Sequence, residues 1–150
     1  MDEKDEAIIK ILARHANLSS RTLSQMTGIP TSTVHRRIKR LEVEGVIVGY
    51  RALIDYEKTT KPISALLLID LEEGSGKDHV PKNDILVKLR KHEEIEEIIE
   101  VQAYRFDLIV KARFYSLKDL SAFIEELRSI EGIQELMSAI ITEELQCGLT

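Results

Sequence analysis

The chain has 150 residues, of which 43% are hydrophobic, so it can form one ordinary domain or two small ones. Its single cysteine, Cys147, excludes an intramolecular disulfide, and the absence of a signal peptide or of an apolar run of ~18–20 residues predicts a soluble, cytoplasmic protein. The net charge of −5 is unevenly distributed, since residues 1–61 carry +3 and residues 62–150 carry −8.

The first predicted helix covers residues 5–15. Ile8, Ile11, Leu12 and His15 recur at the spacing of one apolar stripe on an α-helix. We expect this stripe to face a core, with His15 as a helix-end residue and not a ligand.

A helix-turn-helix is predicted next. Residues 19–28 begin with a hydroxyl cap and end with a glycine, and we expect Leu23 and Met26 to face the core. After a tight turn, residues 31–45 form a second helix. Residues 19–45 hold five basic and two acidic side chains, although the chain as a whole is acidic. Two helices joined by a tight turn, the second of them basic, are typical of DNA-binding proteins.

The second helix has one buried and one exposed face. Placing successive residues 100° apart puts Val34, Ile38 and Leu41 within about 60° of one another, on the face expected to be buried. Arg36 falls on the opposite face and could make a bidentate contact with guanine. Arg37 lies beside the apolar face, and we expect it to pack against the core or to bind a phosphate. The alternative is a solvated basic face on a structural bundle. The side chains predicted to contact DNA are Ser20, Arg21, Thr31, Ser32, Thr33, His35, Arg36, Arg37, Lys39 and Arg40.

A two-stranded wing and a linker are expected after this helix. Residues 46–54 are rich in β-branched and apolar side chains and are interrupted by Gly49, as in a short hairpin. Arg51 could touch the DNA backbone or be an ordinary surface arginine. Polar residues and a proline at 57–62 break the pattern, so we place the domain boundary between residues 61 and 62.

The remaining residues predict a ferredoxin-like domain. Strand–helix–strand occurs twice, which is the split βαβ arrangement with both helices on one face of a four-stranded antiparallel sheet. The expected fold class is α+β, with an N-terminal winged helix-turn-helix at 1–61 and a βαββαβ effector and oligomerisation domain at 62–150. The predicted strands are 63–71, 95–103, 108–114 and 133–145, and the predicted helices are 83–92 and 117–130.

The first of these strands is apolar on both faces, because Leu66 and Leu68 alternate with Ala65, Leu67 and Ile69. A sheet with one face in water should alternate apolar and polar residues. We therefore expect the face away from the helices to pack against a second copy of the chain, giving at least a dimer. A two-sided core within one chain is the alternative, but it leaves no element to cover that face.

Metal and catalytic sites are not expected. Residues 74–84 form a polar loop that lacks the ending of a phosphate-binding loop. His79 beside Asp78 and His92 beside Glu93 are the only hints of metal ligands, and adjacent residues in polar segments are usually solvated. No spacing resembles a catalytic triad or a carboxylate pair, so neither a cofactor nor an enzymatic activity is predicted.

Individual residues along the chain add to this pattern. They are Asp2, Asp5, Ile8, Ile11, Leu23, Gly28, Thr33, Val34, Arg37, Ile38, Arg40, Leu41, Glu42, Gly45, Ile47, Gly132 and Ile133, with residues 104–108. Together with the two domains they resemble the Lrp/AsnC family of transcription regulators over nearly the whole chain. The resemblance implies a homodimer that assembles into octamers or similar rings and wraps or bends double-stranded DNA. It also implies a small-molecule effector, usually an amino acid, bound between C-terminal domains where dimers meet.

Three positions depart from the family pattern. The family often begins its recognition helix with serine where this chain has Pro30, so Thr31 or Ser32 is expected to cap the helix. A glycine favoured two residues after the second strand is replaced by Tyr104, which should restrict the backbone and place a ring in the effector loop. A threonine often found late in the last strand is matched by Ser138, which keeps the hydroxyl.

The resemblance also implies the ligand residues. Asp107 and Arg105 are expected to bind the α-ammonium and α-carboxylate of an amino acid as charge-assisted partners. The alternative for Asp107 is a carboxylate that only caps its loop. Gln102, Tyr104 and Ser138 would face the ligand side chain, and such a polar pocket favours a polar amino acid such as glutamine.

Two other functions are compatible with the resemblance. An architectural DNA-binding protein that ignores any ligand would suit the replacement of glycine by Tyr104. Some proteins that resemble this family are haem-precursor decarboxylases without DNA binding, but here the basic helix is kept and no histidine and arginine pocket for a tetrapyrrole is evident. A DNA-binding regulator controlled by an amino acid is therefore the leading hypothesis.

Overall fold

The computed structural model describes residues 1–74 and 79–145 and divides into two compact units. The N-terminal unit contains residues 1–54 and the C-terminal unit is Asp55–Glu144. The division precedes the predicted boundary at residue 61, because the short 3-10 helix at Tyr56–Lys58 belongs to the C-terminal unit. Two features singled out in the sequence, Asp78 in its polar loop and Cys147, lie outside the described residues. Within those residues, no helix is long and apolar enough to span a membrane.

Three helices form the N-terminal unit, and their apolar faces meet in one small core. They are α1 (Glu3–Leu12), α2 (Ser20–Thr27) and α3 (Thr31–Val43). The core contains Ile8, Leu12, Leu23, Ile29 and Val34. The prediction that Met26 joins it is wrong: Met26 is 54% exposed, because α2 ends one residue later and Ile29 is buried in its place.

The caps explain where the first two helices begin. α1 starts earlier than predicted because Asp2 and Asp5 each accept the other's backbone amide at 3.0 Å, which forms a capping box. α2 starts after Ser19, whose hydroxyl accepts the amide of Thr22 at 3.1 Å, and it ends at Gly28 in the left-handed conformation with φ +70°. The hydroxyl cap and the closing glycine of α2 are therefore confirmed.

Among the described residues, no side chain caps α3, so the prediction that Thr31 or Ser32 does so is wrong. Pro30 is the N-cap residue, and its carbonyl accepts the amides of Thr33 and Val34 at 2.9 Å. Thr31 and Ser32 already lie within the helix and are exposed. Their hydroxyls are therefore left for contacts outside the chain.

The predicted two-stranded wing is wrong in this chain, because none of residues 46–54 belongs to a strand. The amides of Val46 and Ile47 instead donate to the carbonyl of Leu41 and close α3. Residues 48–54 are all exposed. An isolated two-stranded ribbon is marginal in water, and residues 48–54 are too exposed to stabilise one by burial.

The C-terminal unit is a four-stranded antiparallel sheet with two helices on one face. Its strands are β1 (Ile63–Leu71), β2 (Ile95–Glu100), β3 (Leu108–Phe114) and β4 (Ile133–Ile141), and its helices are α4 (Lys82–Leu89) and α5 (Leu117–Arg128). The strand order β2-β3-β1-β4 confirms the predicted ferredoxin-like fold. Both helices, together with β2 and β4, end earlier than predicted.

The turn between α5 and β4 requires glycine. Gly132 has φ +94°, and a Cβ there would lie 2.8 Å from Ile85 Cδ1 and 3.0 Å from Val80 Cβ. The backbone of this turn therefore packs directly against α4 and the segment before it, which joins the two βαβ repeats.

The sheet has one covered face and one open face. On β1, Ala65, Leu67 and Ile69 are fully buried in the core with the helices, whereas Leu66 and Leu68 on the other face are half-buried. We call this second side the open face. The prediction that β1 has apolar side chains on both faces of the sheet is therefore confirmed.

The open face carries an apolar row that crosses all four strands. In the register of the sheet, Ile99 of β2 pairs with Ile109 of β3, which pairs with Leu68 of β1, which pairs with Met137 of β4. Ile99 is 43% exposed and Met137 is 46% exposed. Unless another surface covers this row, its flat apolar side chains are in contact with water.

Candidate DNA-binding surface and effector loop

The buried and exposed faces of α3 lie where the sequence predicts them. Val34 and Leu41 are fully buried and Ile38 is half-buried. The remaining predicted contact residues of α3 are at least partly accessible. Thr31, Ser32, His35, Arg36, Lys39 and Arg40 are exposed, and Thr33 and Arg37 are half-buried.

Two of the predicted DNA-binding arginines are bound by acidic residues at the start of α1. Arg37 Nη1 donates to Asp5 Oδ1 at 2.7 Å and to both carboxylate oxygens of Asp2 at 2.8 Å. Arg40 Nη2 donates to Asp5 Oδ2 at 2.6 Å, and its Nε lies 3.6 Å from Glu44 Oε1. The Asp5 side chain is 1% exposed, so it bridges both arginines from within the unit. This network fixes α3 against α1.

The geometry favours the ionised forms of Asp5, Asp2 and Arg37. The hydrogen bond from the Asp2 amide, followed by that from Arg37, lowers the pKa of Asp5 from 3.8 to about 2. The pKa of Asp2 is lowered by the Asp5 amide and by Arg37. The pKa of Arg37 is raised by its hydrogen bonds to Asp5 and Asp2.

Three basic side chains of the helix-turn-helix remain available for a ligand. Arg21, Arg36 and Lys39 are exposed, and none of them forms an ion pair with another residue in the described ranges. Arg21 lies in the first turn of α2 beside Ser20, which is half-buried. The cationic surface is therefore narrower than the sequence of α3 suggests.

Sequence reasoning missed the partners of Arg37, because Asp2 and Asp5 were considered only as family positions. A signal was present in the sequence. Two acidic residues three apart before an apolar stripe form a capping box with its carboxylates close together. A cation placed beside the apolar face of α3 needs a counter-charge when it is partly buried, and these carboxylates were available for it.

The predicted effector loop joins β2 to β3, and its Asp107 caps the end of β1. The Asp107 amide donates to the Ile69 carbonyl at 2.9 Å, and its Oδ2 accepts the Leu71 amide at 2.9 Å. This second bond gives the Leu71 amide a partner at the point where the β1–β4 register shifts, between Asp70 and Leu71. The loop-capping role considered for Asp107 is therefore present. Within the described residues, its Oδ1 has no hydrogen-bond partner.

Arg105 lies near the same sheet end as Asp107, among further carboxylates. Arg105 Nη2 is 3.2 Å from Glu135 Oε2, and Glu135 pairs with Asp70 in the register of the sheet. Burial, then the charges of Asp107 and Glu135, raise the pKa of Asp70. The structure thus brings Arg105 and Asp107 together with two acidic residues that the sequence analysis did not single out.

The other predicted ligand residues do not all lie close to Arg105 and Asp107. Gln102 and Tyr104 are exposed on the loop, and Tyr104 is 100% exposed. Ser138 pairs with Leu67, so it lies on the helix side of β4, opposite the face that carries Glu135. Within one chain, Ser138 is therefore not grouped with Arg105 and Asp107.

Comparison with known proteins identifies the two units separately. A family model described as winged helix-turn-helix DNA-binding matches residues 1–48, and the model of the Lrp/AsnC ligand binding domain matches residues 64–148. The HTH-type transcriptional regulator FL11 of Pyrococcus furiosus is 33% identical over 94% of this chain and 89% of its own length. The regulator of the same name in Pyrococcus abyssi is 32% identical with the same coverage.

Solved structures share this fold. A transcriptional regulator of Neisseria meningitidis in complex with L-Met has a TM-score of 0.83 at 23% identity, over 97% of this chain and 92% of its own. E. coli AsnC has a TM-score of 0.74 at 22% identity, over 96% of this chain and 93% of its own. Since one family model covers more than half of the chain and FL11 aligns with nearly all of it, the chain belongs to the Lrp/AsnC family of DNA-binding transcriptional regulators.

Proposed function

We propose that this protein binds specific DNA sites as a homo-oligomer whose assembly responds to an amino acid held between dimers. The observation that supports the proposal is which basic side chains of α3 are ion-paired and which are not. Arg37 and Arg40 are bound internally, whereas Arg36 and Lys39 lie exposed on the helix with no ion-pair partner among the described residues. An unpaired cationic helix face beside free hydroxyls suits a polyanion whose grooves must also be read.

In this proposal Arg36 reads a base, whereas Lys39 and Arg21 neutralise phosphates. The hydroxyls of Thr31 and Ser32 reach base edges or phosphates from the first turn of α3, and Ser20, Thr33 and His35 flank the same surface. Arg37 and Arg40 act mainly through their ion pairs, which orient the helix. The relatives are named transcriptional regulators, which favours this function over the tetrapyrrole decarboxylase.

Substitutions at Arg36 and Lys39 separate base reading from phosphate binding. Arg36→Ala is expected to weaken binding to a selected operator by about 1–3 kcal/mol more than binding to random DNA, because a bidentate contact to guanine is lost. Lys39→Ala should weaken both about equally. Fluorescence anisotropy titrations of both variants on the two duplexes measure the difference. Identical behaviour of the two variants would contradict the roles assigned to them.

We infer that the open face joins two copies of the chain. Its apolar row, centred on Leu68 and Ile109, lacks a covering element in the described part of the C-terminal unit. A two-fold contact would remove this row from water and present two recognition helices to one palindromic site. Further assembly into octamers or similar rings is the expectation carried by the family resemblance.

The effector loop is the proposed amino-acid site. Arg105 offers a cation for the α-carboxylate, and the unused Oδ1 of Asp107 offers an acceptor for the α-ammonium. Asp70 and Glu135 add negative charge beside Asp107. The positive charge of an ammonium group would offset the repulsion among these carboxylates. Since Ser138 lies on the other face of β4, its contribution would have to come from another subunit.

Thermal unfolding against each of the twenty amino acids tests this site. One selective stabilisation is expected, favouring a polar amino acid such as glutamine. Ligand at 100 times its dissociation constant adds about 2.7 kcal/mol per site, which shifts the midpoint measurably. Asp107→Asn is a sharp companion variant, because asparagine keeps an acceptor for the Leu71 amide but removes the charge. It should fold and lose the shift.

An architectural DNA-binding protein is the second candidate. The fully exposed Tyr104 replaces the glycine that the family favours in this loop, and Arg105 is already paired with Glu135. The absence of a shift with every amino acid, together with retained DNA binding, would favour this candidate.

A further inference from the structure

We propose that the DNA-binding unit holds a small-molecule site of its own, a groove that takes a monocarboxylate with an apolar body. The groove has a volume of about 350 Å³ and lies between α3 and the segment that joins α1 to α2. Its ligand pairs with Lys39 and so competes with a DNA phosphate for that cation. The competition rests on the proposed function, whereas the site itself does not.

The floor of the groove is apolar and belongs to a packed core. Leu12 is 8% exposed and is part of the core of the unit, and Leu18 and Ile38 are half-buried and pack against that core. Ala16 also lines the groove, and its side chain is only a methyl group. Small-molecule sites typically have volumes of about 300–1,000 Å³ and mostly apolar linings, so this groove suits a small ligand with an apolar body.

One stripe of α3 forms a wall of the groove and carries its charges. His35, Lys39 and Glu42 are spaced at i, i+4 and i+7, so they lie on the same side of the helix. Glu42 is within one turn of Lys39, but its Oε1 accepts the Tyr50 hydroxyl at 2.8 Å. Lys39 is exposed and has no ion-pair partner elsewhere in the described chain. Its positive charge at the groove is therefore uncompensated.

The order of these side chains along α3 sets the orientation of a ligand. Glu42 lies about one turn after Lys39 and His35 lies about one turn before it, so the acidic group is at one end of the stripe. A carboxylate is repelled from that end and attracted to Lys39. The Ser20 hydroxyl, which also lines the groove, is a further hydrogen-bond donor for it. The apolar body of the ligand then lies on the floor.

Binding in the groove is coupled to DNA binding through the charge of Lys39. Lys39 is one of the cations assigned to phosphates, and a carboxylate paired with it removes that charge from DNA binding. The ligand therefore weakens DNA binding by no more than the loss of Lys39 itself. Because one counterion fewer is released from DNA, the logarithmic salt slope should also become shallower by about 0.9 per subunit.

Methyl NMR of the full chain tests the site without DNA. The ligand is 3-phenylpropionate, and its control is 3-phenylpropanamide, which has a similar shape but no charge. We expect the carboxylate to shift the methyl signals of Leu12, Leu18 and Ile38, which line the groove, more than those of Ile8, which is fully buried in the same core. Groove signals that do not move at up to about 10 mM, or that move equally with the amide, would overturn the inference.

Substitutions then locate the bound carboxylate. Lys39→Met removes the cation and keeps a long side chain, so it should weaken 3-phenylpropionate binding about three- to fivefold. Lys10→Met is the matched control, because Lys10 is an exposed lysine of α1 that does not line the groove. Glu42→Gln keeps an acceptor for Tyr50 and removes the repulsion, so it should strengthen binding. Equal losses in the two lysine variants, or weaker binding by Glu42→Gln, would overturn the assigned site.

A variant that fills the groove separates ligand binding from DNA binding. Ala16→Leu places a larger apolar side chain on the floor without changing any charge, and Ala16 is not part of the proposed DNA-binding surface. We expect it to bind DNA like the wild type and to lose the response to 3-phenylpropionate. Circular dichroism confirms that each variant is folded, and Lys39→Met provides the test if Ala16→Leu is not.

Operator titrations at constant ionic strength test the competition. Saturating 3-phenylpropionate should weaken wild-type binding to a selected duplex about as much as Lys39→Met does, and it should leave DNA binding by Lys39→Met unchanged. A ligand that shifts the groove signals without weakening DNA binding would overturn the coupling through Lys39. If the groove signals moved but no protein bound DNA, the proposed function would fail while the site would be supported.

Discussion

Replacing Leu68 by aspartate is expected to give a folded monomer that binds two-half-site DNA about a hundredfold more weakly than the wild type. Leu68 lies at the centre of the apolar row on the open face, between Ile109 and Met137. A carboxylate there would be solvated in the free chain but buried without a partner in a two-fold contact, which is strongly unfavourable. Loss of the second recognition helix then removes the gain from bivalent binding, which reaches 10²–10⁴ in favourable geometries.

Sedimentation velocity and titrations of single and paired half-sites measure this effect. Val87→Asp is the matched control, because Val87 is an exposed apolar residue on α4, at 53% exposure, and does not belong to the open face. It should change neither the oligomer nor the paired-site affinity. A Leu68→Asp protein that sediments like the wild type would rule out the open face as the interface.

Asp5→Asn is expected to lower the unfolding midpoint of the N-terminal unit by ~10 °C and to abolish specific DNA binding. Asparagine still accepts the Asp2 amide, but it leaves the partly buried guanidinium of Arg37 with one counter-charge fewer and Arg40 without its shortest ion pair. Circular dichroism melting and operator titration measure the two losses. Asp2→Asn is the control, because the Asp2 side chain is 56% exposed and forms its ion pair with Arg37 alone, whereas Asp5 pairs with both arginines. The proposed bridging role is wrong if both variants lose the same stability.

Acid titration of the same proteins checks the direction of the effect. The pKa of Asp5 falls from 3.8 to about 2 on folding, so its ionised form is stabilised in the native unit. That stabilisation is complete above the unfolded value and is lost as the pH falls from about 4 towards 2. Over this interval the stability of the wild type should fall more steeply than that of Asp5→Asn.

The fold could be predicted where the periodicity of one segment decides it. β1 and β3 are found at the predicted residues, because runs of β-branched and apolar side chains between polar breaks favour strands over helices. The faces of α3 follow from helical geometry in the same way. The prediction of a hairpin failed because Val46 and its neighbours have strand-forming side chains but remain largely exposed, and propensity alone does not supply a partner strand.

The residue types of the candidate site could be predicted from the sequence, but the contacts between distant residues could not. The basic helix and its hydroxyls were identifiable from residue types, whereas the capture of Arg37 and Arg40 by Asp5 depends on a contact across more than thirty positions of the chain. The capping role of Asp107 depends in the same way on its approach to Leu71 in a distant strand. Local patterns do not encode which distant groups meet, so these roles are seen only in the folded structure.

The ion pairs at the start of α1 also change the number of counterions expected to be released from DNA on binding. Five basic side chains lie between Ser19 and Gly45, but Arg37 and Arg40 are already neutralised by carboxylates of their own chain. If DNA is bound as proposed, each subunit is expected to displace counterions for Arg21, Arg36 and Lys39, which gives a logarithmic salt slope of about −2.7 per subunit, compared with about −4.5 for five free cations. Part of the positive charge in this segment is therefore structural, and we expect binding at cellular ionic strength to depend correspondingly more on shape and on base contacts.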